Sequence, residues 1–130
     1  MKSREKALLV AELAKQKLAE DIVILDMRKM SNVTDFFVIA SASSTKRCQT
    51  IAENIETGLS EKQERVSRIE GYREGIWALL DAYDVVAHIF YGESRTFYNL
   101  EGLWGDAPRV KLCRESKKKK TRSKKTSKKR

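Results

Sequence analysis

Residues 76–90, IWALLDAYDVVAHIF, hold two apolar runs on either side of the short segment DAYD. Short runs of aliphatic and aromatic residues around a tight turn predict two strands. Because neighbouring side chains of a strand point to opposite faces of the sheet, Val85, Ala87 and Ile89 share one purely aliphatic face. If helices cover that face, the other face carries a mixture of large apolar and polar side chains, namely Trp77, Leu79, Asp81, His88 and Phe90.

The rest of the chain predicts three helices and three further strands. Apolar residues recur at helical spacing in residues 3–18, 43–59 and 94–104, and each segment begins with a serine that can cap a helix. Short runs at 22–25, 36–40 and 65–69 are typical of strands. The predicted order is therefore α-β-β-α-β-β-β-α, an α/β domain with a mixed five-stranded sheet and helices mainly on one face.

The positive charge of the chain is concentrated at its C-terminal end. The 130 residues carry a formal net charge of +9, yet residues 1–113 hold sixteen basic and seventeen acidic side chains. From Arg114 onward, eleven Lys and Arg stand against one Glu, and no apolar residue follows Ser116. We therefore predict one folded domain at 1–113 and a disordered basic tail at 114–130.

The basic tail has two main interpretations, beside nuclear import and contact with an anionic membrane, for which the sequence holds no second signal. It is either a solubilising extension or a sequence-independent contact to RNA, in which each phosphate contact releases counterions. The tail residues expected to contact RNA are Lys117, Lys118, Lys119, Lys120, Arg122, Lys124, Lys125, Lys128, Lys129 and Arg130.

No residue pattern indicates catalysis or metal binding. Cys48 and Cys113 lie far apart, outside any Cys-x-x-Cys spacing, and a single His cannot supply a typical metal site. No two acidic residues are two positions apart, as the magnesium site of a nucleotidyltransferase requires on a strand. Ser41, His88 and Asp81 are the residue types of a hydrolase triad, but such a set occurs by chance in most chains. We expect no catalytic residue, no metal and no cofactor.

The chain also lacks the patterns of membrane and secreted proteins. No run is apolar enough to span a bilayer, and the N-terminal residues MKSREKALLV contain no apolar signal core. We predict a soluble, cytoplasmic protein with no membrane partner.

Three helices, one of them short, are too few to cover both faces of five strands, so part of one face is expected to need another molecule. The mixed set around Trp77 and His88 resembles the centre of a protein–protein interface, with large aromatic side chains beside a few polar atoms. His88 then has three interpretations: a buried, hydrogen-bonded sheet residue, an interface contact, or a catalytic base.

Three stretches closely resemble the ribosomal silencing factors, also called the Iojap family: DIVILDMRKMSNVTDFFVIASASS (21–44), WALLDAYDVVAHIF (77–90) and SRTFYNLEGLWGDAP (94–108). The resemblance runs from about residue 5 to residue 110. Its most specific parts are the TDFFVIASASS block, the WALLD and DVVAHIF strands, and a set of C-terminal residues: Arg95, Tyr98, Leu100, Glu101, Leu103, Trp104, Asp106, Ala107 and Pro108.

The resemblance implies a fold related to nucleotidyltransferases without their active site, and a binding function. Family members attach to the large ribosomal subunit through a ribosomal protein on its joining face, the one numbered fourteen, and keep the small subunit away when nutrients are scarce. They also form homodimers. The resemblance further implies Tyr98, Glu101 and Trp104 as the support or rim of the contact, and Asp35 as a turn anchor.

One departure from the family is visible in the DAYD turn, which is commonly Asp-Tyr-Gly-Asp. With Ala82 and Tyr83 in the middle, a positive φ in that turn costs more than it does with glycine. Two other classes of function stay open beside silencing: an enzyme acting on nucleotides, and a general basic RNA-binding module that depends on the tail.

Overall fold

The computed structural model describes residues 1–111. The elements follow in the order α1 Ser3–Gln16, β1 Glu20–Asp26, β2 Phe36–Ala42, α2 Thr45–Glu61, β3 Arg68–Glu70, β4 Trp77–Asp81, β5 Val85–Tyr91, α3 Ser94–Tyr98, α4 Leu100–Leu103 and β6 Arg109–Val110. The expected mixed α/β fold is confirmed, and the first eight elements agree with the predicted order. The basic tail and the boundary predicted at residue 113 lie outside the described residues.

Six strands form one mixed sheet in the order β3-β4-β5-β2-β1-β6, one strand more than predicted. β2 and β5 pair in parallel, and the other neighbours pair antiparallel. The additional strand β6 has two residues and places Arg109 opposite Leu25. A run of two residues carries no periodicity, so its pairing depends on tertiary contacts, such as the 2.7 Å hydrogen bond from the N–H of Asp26 to the carbonyl of Pro108.

Helices α1 and α2 cover one side of the sheet, which we call the first face. Their apolar stripes pack against the aliphatic side of β5, formed by Val85, Ala87 and Ile89, as the strand parity predicts. Gly58 allows the two helices to approach closely, because a Cβ at this position would overlap the side chain of Leu13. Cys48 is fully buried here and its thiol lies 3.5 Å from the carbonyl of Ile89, so it is a packed thiol.

The prediction of one helix across residues 94–104 is wrong. The segment forms two short helices, α3 and α4, which are separated by Asn99 in the left-handed conformation with φ 47° and ψ 50°. Asparagine tolerates this conformation better than most residues, and its Oδ1 accepts a 3.1 Å hydrogen bond from the N–H of Gly102. The break lets the segment fold across the side of the sheet opposite α1 and α2, which we call the second face.

The turn between β4 and β5 has the strain that its sequence implies. Tyr83 has a φ of 71°, a left-handed conformation that costs any residue with a Cβ more than glycine. Its N–H donates to Oδ1 of Asp81 over 3.0 Å. The turn is also held from below by Lys6, whose Nζ donates to the carbonyl of Ala82 at 3.0 Å and to Oδ1 of Asp84 at 2.6 Å. These contacts compensate for the strained backbone.

Within residues 1–111, every helix is too short or too polar to cross a membrane.

Candidate interaction surface

The second face is formed mainly by the mixed side chains of β4 and β5. All five residues predicted from strand parity lie on it, with Trp77 opposite Phe90 and Leu79 opposite His88. Their exposure differs: Phe90 is fully buried and His88 is 4% exposed, whereas the other three are partly exposed. The surface therefore has two layers, and His88 and Phe90 belong to the lower one.

Aromatic rings connect the two layers. The ring of Trp77 stacks on that of Phe90 with 5.2 Å between centroids, and the ring of Tyr98 lies 4.3 Å from that of Trp77. Further along the sheet, Trp104 meets Phe37 edge to face at 6.4 Å. Offset and edge-to-face contacts add to the burial of apolar area, so α3 and α4 are attached to the sheet largely through these rings.

His88 is a neutral, hydrogen-bonded residue of the lower layer. Its Nδ1 accepts a 3.1 Å hydrogen bond from Nε1 of Trp77, which assigns the proton of the neutral ring to Nε2. Burial lowers the pKa of His88 to about 4, because a charged imidazole would lose its hydration. Nε2 has no hydrogen-bond partner among the described residues, and the nearby ring of Phe37 meets the imidazole edge to face at 4.7 Å.

The three residue types of a hydrolase triad are not assembled into one. The hydroxyl of Ser41 accepts a hydrogen bond from Arg95, and Oδ1 of Asp81 accepts one from the main chain of Tyr83. His88 is bonded to neither. In the part of the chain that the structure describes, no three His, Cys, Asp or Glu side chains are grouped so that they could hold a metal ion.

The residues expected at the rim have different environments. Tyr98 is 45% exposed and Trp104 is partly buried against Phe37. Glu101 is engaged inside the chain, because both of its oxygens accept hydrogen bonds from Arg95, at 2.7 and 3.0 Å. This guanidinium holds the pKa of Glu101 below its usual value. The expected turn anchor, Asp35, acts through its main chain, whose N–H donates to the carbonyl of Asp84 over 2.8 Å.

Sequence reasoning missed several apolar side chains of the outer layer. Phe97 is 80% exposed on α3 and Leu103 is 70% exposed on α4. A helical periodicity assigns Phe97 to the buried stripe, but in the structure the helix ends at Tyr98, and Tyr98 rather than Phe97 lies against Trp77. Phe37 could have been found, since strand parity places it on the same face as the predicted set.

Comparison with known proteins assigns the chain to a family. The family model described as "Ribosomal silencing factor during starvation" matches residues 1–130. The chain belongs to this family. A ribosomal silencing factor from Bacillus subtilis is 43% identical over 104 residues, which are 80% of this chain and 88% of the relative.

A solved structure and a more distant relative extend this similarity. The crystal structure of a protein from Chromobacterium violaceum has the same fold, with a TM-score of 0.79 and 30% identity over 81% of this chain and 88% of that one. The mouse protein named "Mitochondrial assembly of ribosomal large subunit protein 1" is 28% identical over 99 residues, which are 74% of this chain and 43% of that protein. The resemblance in residues 21–108 is thus confirmed as membership of the ribosomal silencing factors, whose role is regulatory.

Proposed function

We propose that this silencing factor binds a ribosomal protein on the joining face of the large subunit through its second face, and so prevents the small subunit from joining. One observation carries the proposal. The side of the sheet opposite α1 and α2 ends in a layer of partly exposed apolar side chains, and among the described residues its cover consists of the short segment α3–α4 together with Met27 and Ala107. Apolar patches with aromatic centres are typical of protein-binding surfaces.

The assignment of the large subunit comes from the family. Its members are silencing factors by name, and the name of the mouse relative refers to assembly of the ribosomal large subunit. A protein bound at the joining face would lie directly in the path of the small subunit. The large-subunit protein numbered fourteen is the partner that the family resemblance implies there.

The mechanism is steric exclusion and requires no chemistry. Subunit joining needs many bridges to form in one rigid pose, so a domain about 25–30 Å across at one bridge creates clashes that the other bridges cannot relieve. By mass action, a factor that binds the free large subunit and not the joined ribosome shifts the equilibrium toward separate subunits. A standard interface of about 1,200–2,000 Å² is sufficient for this effect.

The two layers of the surface have different roles in the proposed binding. We assign direct contact to the exposed side chains, with Trp77, Leu79 and Tyr98 at the centre and Asp81 as a charged neighbour. His88 and Phe90 support them from below and do not reach the partner in this conformation. Phe97 and Leu103 extend the apolar area along α3 and α4.

Two further parts of the proposal concern other contacts. The basic tail, residues 114–130, would add loose electrostatic attachment to ribosomal RNA and raise the encounter rate. A second copy of the chain would cover the same apolar layer when no ribosome is bound, so the homodimer and the ribosome complex would compete for one surface.

Density-gradient sedimentation of a cell lysate with the tagged protein tests the proposal. The wild-type chain should migrate with free large subunits and be absent from joined ribosomes. Tyr98→Ala should lose this co-migration, whereas the matched control Tyr72→Ala should keep it, because Tyr72 is similarly exposed at 37% but bonds to Glu53 on α2. Equal co-migration of the two variants would refute the assigned surface, and co-migration of the wild type with joined ribosomes would refute exclusion.

A chain cut after Cys113 separates silencing from a general RNA-binding function. The remaining domain should still select large subunits, with a shallower dependence of affinity on salt concentration, because the basic tail makes the phosphate contacts. A truncated chain that binds no large subunits would favour the RNA-binding module. Magnesium-dependent turnover of a nucleotide would instead favour an enzyme.

A further inference from the structure

Arg95 makes three side-chain hydrogen bonds that join α3 to α4 and to the sheet, while the hydroxyl of Ser94 ties the start of α3 to the carbonyls of Ile76 and Tyr91. The Nε and Nη2 of Arg95 bind the two oxygens of Glu101 at 2.7 and 3.0 Å, and its Nη1 donates to the hydroxyl of Ser41 over 2.8 Å. Arg95 lies on α3, Glu101 on α4 and Ser41 on β2, so a single guanidinium joins three elements. We call this arrangement the Arg95 clamp.

We infer that Arg95 is a positioning residue for the proposed contact surface: the clamp holds α3 and α4 in the pose in which Tyr98 lies against Trp77. This inference rests on the proposed function for the importance of that pose. Arg95 itself is only 14% exposed on its side chain, so we assign it no contact with the partner.

The helices that the clamp joins are too short to be stable alone. α3 has five residues and α4 has four, well below the length at which an isolated helix forms in water. Their order must come from contacts with the sheet. The aromatic contacts of Tyr98 and Trp104 permit sliding, because stacked rings have no fixed hydrogen-bond geometry, whereas a bidentate ion pair fixes both distance and orientation.

The clamp requires the planar fork of arginine. All three of its nitrogens are used, two toward one carboxylate and one toward a hydroxyl on another element. A lysine ammonium is a compact point charge on a flexible stem and cannot reproduce this pattern. The clamp also removes Glu101 from the set of free rim charges, so substitution of Glu101 should weaken binding through loss of position.

Three single variants, one double variant and a control test the inference. Arg95→Gln and Arg95→Lys remove the fork, and Ser41→Ala removes only the tie to the sheet. The control is Arg28→Gln, because Arg28 forms a similar two-point pair with Asp26, at 2.9 and 2.7 Å, away from α3 and α4. The measurements are hydrogen–deuterium exchange of the folded protein and co-sedimentation with purified large subunits.

Both Arg95 variants should raise amide exchange in residues 93–104 by at least about tenfold, because they remove the paired charged hydrogen bonds to Glu101, and the loss of one such bond already has about this effect on an opening equilibrium. Amides of β2 and β5 should exchange as in the wild type. Affinity for large subunits should fall by a similar factor of about ten, and by about threefold for Ser41→Ala. Arg28→Gln should change neither property. The double variant Arg95→Glu with Glu101→Arg restores an ion pair with the charges exchanged, so it should recover part of the amide protection and part of the affinity. If Arg95 acted only through the bulk of its side chain, this exchange would recover neither.

Unchanged exchange of residues 93–104 in both Arg95 variants would overturn the inference, and so would loosened exchange with full affinity. If Arg95→Gln does not fold, Ser41→Ala and Arg95→Lys decide in its place. A wild-type chain that binds no large subunits would refute the proposed function alone, and the exchange data would then still decide whether the clamp orders α3 and α4.

Discussion

Acidification from pH 7 to pH 4 should destabilise the fold through His88, the single histidine of the chain. The imidazole is 4% exposed among the rings of Phe37, Trp77 and Phe90. Protonation would place a charge in this apolar layer and would turn Nδ1 into a donor that faces the indole N–H. Both effects act against the charged form in the folded state.

The magnitude follows from the two pKa values. The pKa of His88 is about 4 in the folded chain and 6.5 in an unfolded one. Between these pH values the unfolded state binds a proton that the folded state rejects, so stability falls as the pH decreases from 6.5 and levels off below 4. A difference of about 2.5 units corresponds to about 3 kcal/mol of unfolding free energy, a large share of the stability of a small domain.

Urea unfolding of the wild type and of His88→Gln at pH 7, 6, 5 and 4 measures this effect. Glutamine keeps an acceptor for Trp77 and does not titrate, so the other ionisable groups contribute equally to both proteins. The advantage of the variant over the wild type should grow by about 3 kcal/mol between pH 7 and pH 4. A pH-independent difference, or an imidazole NMR signal that titrates near pH 6.5, would refute the reasoning.

Three other substitutions should change stability in urea or thermal unfolding. Tyr83→Gly should stabilise the chain by about 1 kcal/mol, because glycine adopts a φ of 71° without steric cost; a loss of stability would show that the turn is not strained. Lys6→Met should cost about 2 kcal/mol at pH 7 by removing the partner of Asp84. Burial lowers the pKa of Lys6, but the hydrogen bonds to Asp84 and Glu64 raise it by more, so the pKa in the folded chain lies above 10.5. The stabilisation by Lys6 is therefore complete below pH 10.5 and is lost as the pH rises through the folded pKa, and Lys6→Met should not show this loss of stability at alkaline pH. Gly58→Ala should cost about 1–3 kcal/mol by pushing apart α1 and α2, and an unchanged midpoint would show that Leu13 moves freely aside.

The sheet could be predicted because strand parity is a local property. Alternate positions of β5 separate an aliphatic side from a side with His88 and Phe90, and the helices cover the aliphatic side as expected. The same rule places Trp77 and Leu79 of β4 beside them. Parity assigns a side chain to a face, but it contains no information on how deeply the side chain is buried. Strand parity alone therefore overestimates the exposure of His88 and Phe90.

The cover of the second face could not be predicted, because it depends on contacts distant in sequence. The helical spacing of residues 94–104 suggests one helix, and a single left-handed residue, Asn99, divides it and changes which side chains face outward. The tie from Arg95 to Ser41 spans 54 positions, and no local pattern connects the two residues. The pairing of the two-residue strand β6 with β1 and the burial of Lys6 under the β4–β5 turn also depend on contacts between residues distant in sequence.

For the proposed steric block, the two-layer construction of the second face would supply the rigidity that the mechanism needs. A block is effective only if the bound domain cannot tilt aside, and tilting is resisted when the contact side chains have fixed positions. Trp77 is fixed because its ring stacks on buried Phe90 and its indole N–H is bonded to His88, so neither face nor edge is free to rotate. A neutral His88 is required for that bond, since the charged ring offers no acceptor. The lowered pKa of this imidazole keeps it neutral, and the bond to Trp77 intact, down to about pH 4. In the proposed complex, His88 would therefore act on recognition indirectly, by orienting a tryptophan.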